Sequence, residues 1–302
     1  MGDKTNGSII ITAPAKLNLY LHIMDRRQDG FHNLDSLVAF ASISDSVEVR
    51  PGVDLKLTII GPFADELERV EDNLVLRAAR ALQKFGRINN GAKLILTKNL
   101  PVAAGIGGGS SNAAATLRAL VSLWDLSCSY EELNSIALTL GADVPICLYG
   151  RAAFMRGIGE RIKSGPVIPP ANLVIVNPRV RISTPAVFKA RQGPFSRPVR
   201  EPVEFDSIGD LANQLALNDN DLTQPAILIE PVIKAVLAAL ESANDCLLSR
   251  MSGSGGSCFG VFEKEGQAVK AAADIAKRYP DWWIKTAKLM GGKQRLPMGL
   301  KR

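Results

Sequence analysis

The sequence predicts an α+β protein of two domains meeting at a cleft. Three observations carry that expectation: a length of 302 residues, about twice what one domain takes, an opening rich in strand-forming residues, and helix-patterned segments interspersed among the later strands. Hydrophobic residues at 46% and charged residues at 22% are the balance of a chain that folds, which excludes global disorder.

The β-branched run from Ser8 to Ala13 reads as a strand, broken at Pro14 and resumed where Leu17, Leu19, Leu21 and Ile23 alternate. Strands are further expected at 46–49, 55–60 and 93–96. A helix is expected over 72–85 with Leu74, Ala78, Ala81 and Leu82 on one face and Gly86 as its stop. Ser110 to Leu123 has the alanine and leucine content of a long buried helix, and Ser129 is placed to cap another that runs to Leu140. The proline- and glycine-rich stretch 165–170 marks the domain boundary, giving domains of 1–165 and 166–302. Beyond it come a buried strand over 173–176, a turn at Asn177-Pro178, a loop over 192–206, a helix over 232–242, a strand over 258–262, a helix over 267–278 and a basic tail.

A net charge of +6 suits an anionic partner, but the cations are scattered, with no long Lys/Arg run and no basic-aromatic interleaving of the kind that tracks nucleic acid. A phosphorylated small molecule fits, and neither a nucleic-acid nor a membrane partner is expected. Cys128, Cys147, Cys246 and Cys258 are too few and too dispersed for a disulfide framework, so a reducing cytoplasm is expected. The N-terminus lacks a signal-peptide pattern, and no run reaches the roughly 18 apolar residues of a membrane span. With only His22 and His32, a three-histidine zinc site is excluded and a serine–histidine triad has few candidates. The sequence is compatible with a monomer or a homodimer.

The stretch Pro101-Val-Ala-Ala-Gly105-Ile-Gly107-Gly108-Gly109-Ser110-Ser111 runs straight into the predicted helix. Glycines allow positive φ and close approach, while free amides at a helix start favour phosphate oxygens. No G-K-[ST] follows, so it is not a Walker A loop, and the dinucleotide spacing is met only loosely.

This segment resembles the second motif of the GHMP kinases, in the variant of the diphosphocytidyl-methylerythritol kinases. Other segments resemble that family's motifs in the same order: Pro14-Ala-Lys16-Leu-Asn18-Leu, Asp29-Gly30-Phe31-His32, Leu140-Gly-Ala-Asp143-Val-Pro145, Thr184-Pro185-x-x-Phe188, and Met251-Ser-Gly253-Ser-Gly255-Gly256. Two positions depart from the pattern: Ala103 stands where these enzymes often have glycine, and Phe31 where many have tyrosine.

The resemblance implies a ribosomal-S5-like nucleotide domain followed by a ferredoxin-like domain, with ATP and Mg²⁺ as cofactors. It implies transfer of phosphate to the 2-hydroxyl of 4-diphosphocytidyl-2-C-methylerythritol, in the non-mevalonate route to isoprenoids. It assigns Asp143 as catalytic base and Lys16 as its partner, with Asn18 orienting the same centre. Nucleotide contacts fall to Asn73, Lys98, Pro101, Gly105, Gly107, Gly108, Gly109, Ser110, Ser111, Gly253 and Gly255. Of these, Asn73 and Lys98 read from sequence as surface residues. His32 is assigned to the cytosine edge, Phe31 and Phe188 to its two faces, and Thr184 and Ile158 to the same pocket. The metal ligands stay open among Ser110, Ser111 and Asp143. A homoserine or mevalonate kinase gives no reason for the D-G-F-H and T-P-x-x-F segments, and a non-catalytic nucleotide- or RNA-binding protein needs neither Lys16 nor Asp143.

Overall fold

The computed structural model describes residues 3–5, 7–67, 72–202 and 204–291 of the chain; the basic tail expected from the sequence lies, apart from Gly291, outside them. The strands are β1 (Asp3–Thr5), β2 (Ser8–Arg26), β3 (His32–Gly52), β4 (Leu55–Ile60), β5 (Gly91–Thr97), β6 (Ala153–Gly157), β7 (Arg161–Ser164), β8 (Ala171–Asn177), β9 (Leu248–Met251), β10 (Cys258–Phe262) and β11 (Trp283–Met290). The helices are α1 (Leu74–Gly86), α2 (Gly108–Leu123), α3 (Tyr130–Leu140), α4 (Val144–Tyr149), α5 (Thr184–Ala190), α6 (Ile208–Ala216), α7 (Thr223–Ile229), α8 (Val232–Glu241) and α9 (Glu265–Arg278). The α+β expectation holds.

All described strands join one sheet whose beam is β3. Its first residues pair with β6, Phe40 and Ala41 pair with β11, and its last third pairs with β5. β11 in turn carries β8, β10 and β9, so the second half of the chain hangs from the first through the middle of β3. Helices α1, α2 and α3 cover the first half, where Leu82, Leu94, Leu96 and Leu120 are fully or almost fully buried; each such side chain contributes roughly 1.5–3 kcal/mol. The stretch 165–170 has no regular structure and joins β7 to β8; we propose that the domain boundary lies there.

Several expectations are corrected by tertiary context. Pro14 does not break the strand: β2 continues through it, and the pairing with β3 slips between Pro14 and Lys16, where a residue without an N–H costs no ladder bond. Gly86 is the last residue of α1 rather than its stop, which falls on Arg87 in the left-handed region at φ 48°. The helix expected from Ser110 begins at Gly108, and its residues Ser111 to Leu117 are all buried. Ser129 caps α3 as expected, with Glu132 returning the bond in a capping box. Helices α4 to α7 are not legible in the sequence, since three of the four are seven residues or shorter and carry too few turns to show a period.

Candidate active site

Two elements meet at the centre of the site. β2 delivers Lys16 and Asn18 on one face, and the turn before α4 delivers Asp143 as the residue preceding the helix. The Lys16 ammonium donates to Asn18 Oδ1 at 2.8 Å and lies 3.0 Å from Asp143 Oδ2. Asn18 is held in turn, its Nδ2 donating to Ser36 Oγ at 2.8 Å. The lysine is buried, whereas the Asp143 side chain stays 36% exposed and faces the cavity, so the carboxylate is both charge-paired and reachable. Behind them, burial pushes the Cys147 thiol up to about 12, which leaves it protonated and unfit as a nucleophile.

The two glycine motifs are stitched to one another by hydrogen bonds from the Ser252 hydroxyl and the Ser257 amide. Ser252 Oγ donates to the Gly105 carbonyl at 3.0 Å and accepts from the Asn18 amide at 3.2 Å, and the Ser257 amide donates to the Ala104 carbonyl at 3.0 Å. A Cβ on Gly105 would lie 2.4 Å from the Gly255 carbonyl oxygen, so this residue is glycine because two backbones touch there. Gly107, at φ 64°, opens α2, leaving the amides of its first turn without intrahelical partners and directed at the cavity. Ala103 adopts φ 51°, a left-handed conformation that glycine takes without the steric cost of a Cβ.

Asn73 and Lys98 flank the same helix start. Asn73 caps α1, its Oδ1 accepting from the Val75 amide at 2.9 Å. Lys98 is not a surface residue: its ammonium is buried, donating to Asp45 Oδ2 at 2.7 Å and to the Leu100 carbonyl at 2.6 Å. Burial holds its pKa below the ordinary lysine value against the opposing pull of Asp45. Asp45 also accepts from the amides of Asn99 and Leu100, so one carboxylate shapes the whole approach to Pro101. Nothing in its sequence context signals Asp45, and Ser252 is visible there only as a neighbour of Gly253.

Elsewhere in the cavity His32 and Phe188 face each other with ring centroids 5.2 Å apart, and Phe31 is 59% exposed beside them. Burial, with Arg26 and Arg191 nearby, holds the His32 imidazole below its ordinary value. Thr184 Oγ1 meets Ser254 Oγ at 2.6 Å, and Ile158 lines the wall with its amide bound to Glu160. One cavity of about 1530 Å³ holds all of these, together with Arg181, Arg191 and Phe195, which the sequence does not single out. It is large enough for two substrates side by side. Two predicted contacts do not reach it: Ser111 is buried within α2, and Gly255 packs against Met251, Ala226 and Ile233.

The chain matches the models of the GHMP kinases N terminal domain over residues 73–151 and of the GHMP kinases C terminal over residues 203–281. It is 51% identical to the 4-diphosphocytidyl-2-C-methyl-D-erythritol kinase of Paramagnetospirillum magneticum, covering 94% of this chain and 99% of that one. Identity to the enzyme of the same name from Rhodospirillum rubrum is 46%, covering 97% and 96%. A crystal structure of 4-(cytidine 5'-diphospho)-2C-methyl-D-erythritol kinase superposes with a TM-score of 0.74 at 34% identity, covering 94% of this chain and all of the other. Homoserine kinase from Cytophaga hutchinsonii shares the fold, with a TM-score of 0.72 at 18% identity over 97% and 98% of the chains. The chain belongs to the GHMP kinases and, among them, to the family of the 4-diphosphocytidyl-2-C-methyl-D-erythritol kinases.

Proposed function

We propose that this kinase moves the γ-phosphoryl group of ATP to the 2-hydroxyl of 4-diphosphocytidyl-2-C-methyl-D-erythritol, with Asp143 as the base. The observation that carries the reading is the Lys16–Asp143 pair at 3.0 Å, set in the same cavity as the glycine loop and the His32–Phe188 ring pair. The acceptor hydroxyl gives its proton to Asp143 as its oxygen forms the bond to phosphorus, and the bond to the β-phosphate breaks to release ADP. Lys16, held by Asn18, steadies the negative charge spread over the moving group. The first-turn amides of α2 bind the phosphates, Asn73 and Lys98 flank the nucleotide, and Phe31, His32 and Phe188 hold the cytosine.

Mg²⁺ fits this donor set as a partner of the nucleotide. Asp143 and Ser110 line the cavity and would hold the ion there together with the nucleotide phosphates and water. When bound, the ion supplies neutralisation of phosphate charge. Among the described residues no helix is long and apolar enough to cross a membrane. The four cysteines are free, which supports the reducing cytoplasm as the place of action.

The test is ADP release with Mg²⁺ and ATP for four acceptors: the cytidylated substrate, the same compound without its cytidine portion, homoserine and mevalonate. Turnover of the first alone is expected. Turnover of homoserine or mevalonate in its place removes the substrate assignment while keeping the kinase.

A further inference from the structure

The face of β2 opposite the catalytic residues carries a second cavity, of about 370 Å³. It exists because the pairing of β2 with β3 slips between Asn18 and Tyr20, which reverses the alternation of side chains. Lys16, Asn18 and Leu21 therefore line the catalytic cavity, while Tyr20 and His22 line the other.

The electrostatics of this cavity are one-sided. Arg197 and Arg200 line it, and neither has a hydrogen bond or ion pair among the described residues. His22 accepts the Asp219 amide at Nε2, which places its proton on Nδ1, a buried atom with no partner among the described residues. Among the described residues no carboxylate lines the cavity; of those nearest in the chain, Glu204 and Asp206 flank the lining residue Phe205 and Asp219 meets Arg250 at 3.8 Å. Asp35 accepts from the Tyr20 hydroxyl and the Val199 amide, Glu201 binds Arg156 and Lys163, and Asp210 accepts from Gln214. The rest of the wall is mainly apolar, with Leu37, Val199, Phe205, Leu215 and Leu217 beside the amides Gln214 and Asn218.

We propose that this cavity is a second ligand site, taking a small phosphate ester with a short apolar body. Two unpaired guanidinium forks suit phosphate oxygens, the apolar wall suits the body, and the volume sits at the small end of ligand sites, which excludes a nucleotide. The site is coupled to the acceptor pocket through one segment. Arg191, Gly193 and Phe195 line the catalytic cavity, and Arg197 to Arg200 line the second. Ser196 is the pin between them, its amide donating to the Ile23 carbonyl at 3.0 Å and its hydroxyl to Asp221 at 2.7 Å. The coupling rests on the reading of that part of the catalytic cavity as the acceptor pocket; the ligand site itself does not.

The experiment is calorimetric titration of the full chain, saturated with ADP and Mg²⁺ to occupy the glycine loop, with phenyl phosphate, inorganic phosphate and phenol. Phenyl phosphate should bind saturably and about tenfold tighter than either fragment, and about tenfold weaker to Arg197→Ala/Arg200→Ala. Leu217→Glu should weaken it similarly, since that side chain is 85% exposed and the change adds a repelling carboxylate without removing a buried contact. Absence of saturable binding, or equal affinity in all three proteins, overturns the site. Phenyl phosphate should also shift the acceptor KM about twofold or more in the wild type and not in the variants. Binding without that shift overturns the coupling. The titration needs no turnover, so it tests the ligand site even where the substrate assignment fails.

Discussion

Lys16 and Asp143 touch at 3.0 Å from opposite sides of a boundary: the lysine is buried in the sheet, and the aspartate opens to the cavity. The lysine's stem also packs on the glycine loop, where a Cβ on Gly107 would lie 3.0 Å from its Cβ and 3.1 Å from its Cε. The Lys16 charge is thus fixed by the same loop that we propose binds phosphate. Lys16→Met should lower kcat by roughly 10²–10⁴-fold, and Lys16→Arg should not restore it, because the larger fork cannot occupy a stem-width channel. Steady-state kinetics of both variants check this.

Asp45 and Lys98 form a buried pair, and removing one member strands the other. Asp45→Ala should cost roughly 3–5 kcal/mol of stability, read by denaturant unfolding. Asp45→Leu combined with Lys98→Met should recover most of that loss while weakening nucleotide binding, since Lys98 borders the first residue of α2.

The glycine loop before α2 predicts opposite outcomes two residues apart. Gly105→Ala drives a methyl group into the Gly255 carbonyl and should destabilise by about 2 kcal/mol or more. Ala103→Gly relieves a left-handed alanine and should stabilise by about 0.5–1 kcal/mol, after the entropy glycine adds to the unfolded chain. Thermal melts of the two variants give the signs.

His32 predicts a pH dependence. Its pKa is lowered from 6.5 by burial first and then by Arg26 and Arg191, so it is neutral at pH 7 and gains its proton only below the ordinary histidine range. The acceptor KM should therefore be flat from pH 8 down to about 6.5 and rise below it. In His32→Asn that rise should vanish. The same sign holds for stability: the neutral folded form loses ground as pH falls and the unfolded chain takes up the proton first.

What the sequence could reveal was set by how local each feature is. The glycine loop, the Ser129 cap and the strand alternation of β2 are written in adjacent residues, and they were legible. Lys98 was not, because its burial depends on Asp45, 53 positions away. The Asn18–Tyr20 slip was hidden for a similar reason: a bulge is a property of two paired strands, and only the partner β3 shows that Tyr20 and His22 turn away from the catalytic face. The large cavity drew Arg191 and Phe195 from a loop whose sequence carries no period at all.

The role of Asp143 as proton acceptor is best tested by comparing Asp143→Asn with the wild type in two readings, single-turnover phosphoryl transfer to the cytidylated acceptor and equilibrium binding of ADP. Transfer should fall by roughly 10³-fold with ADP affinity held within about threefold, since the proposed mechanism gives the proton to Asp143 and the phosphates to the α2 amides. Transfer that survives the substitution within about tenfold would move the proton acceptor away from Asp143 and overturn the mechanism.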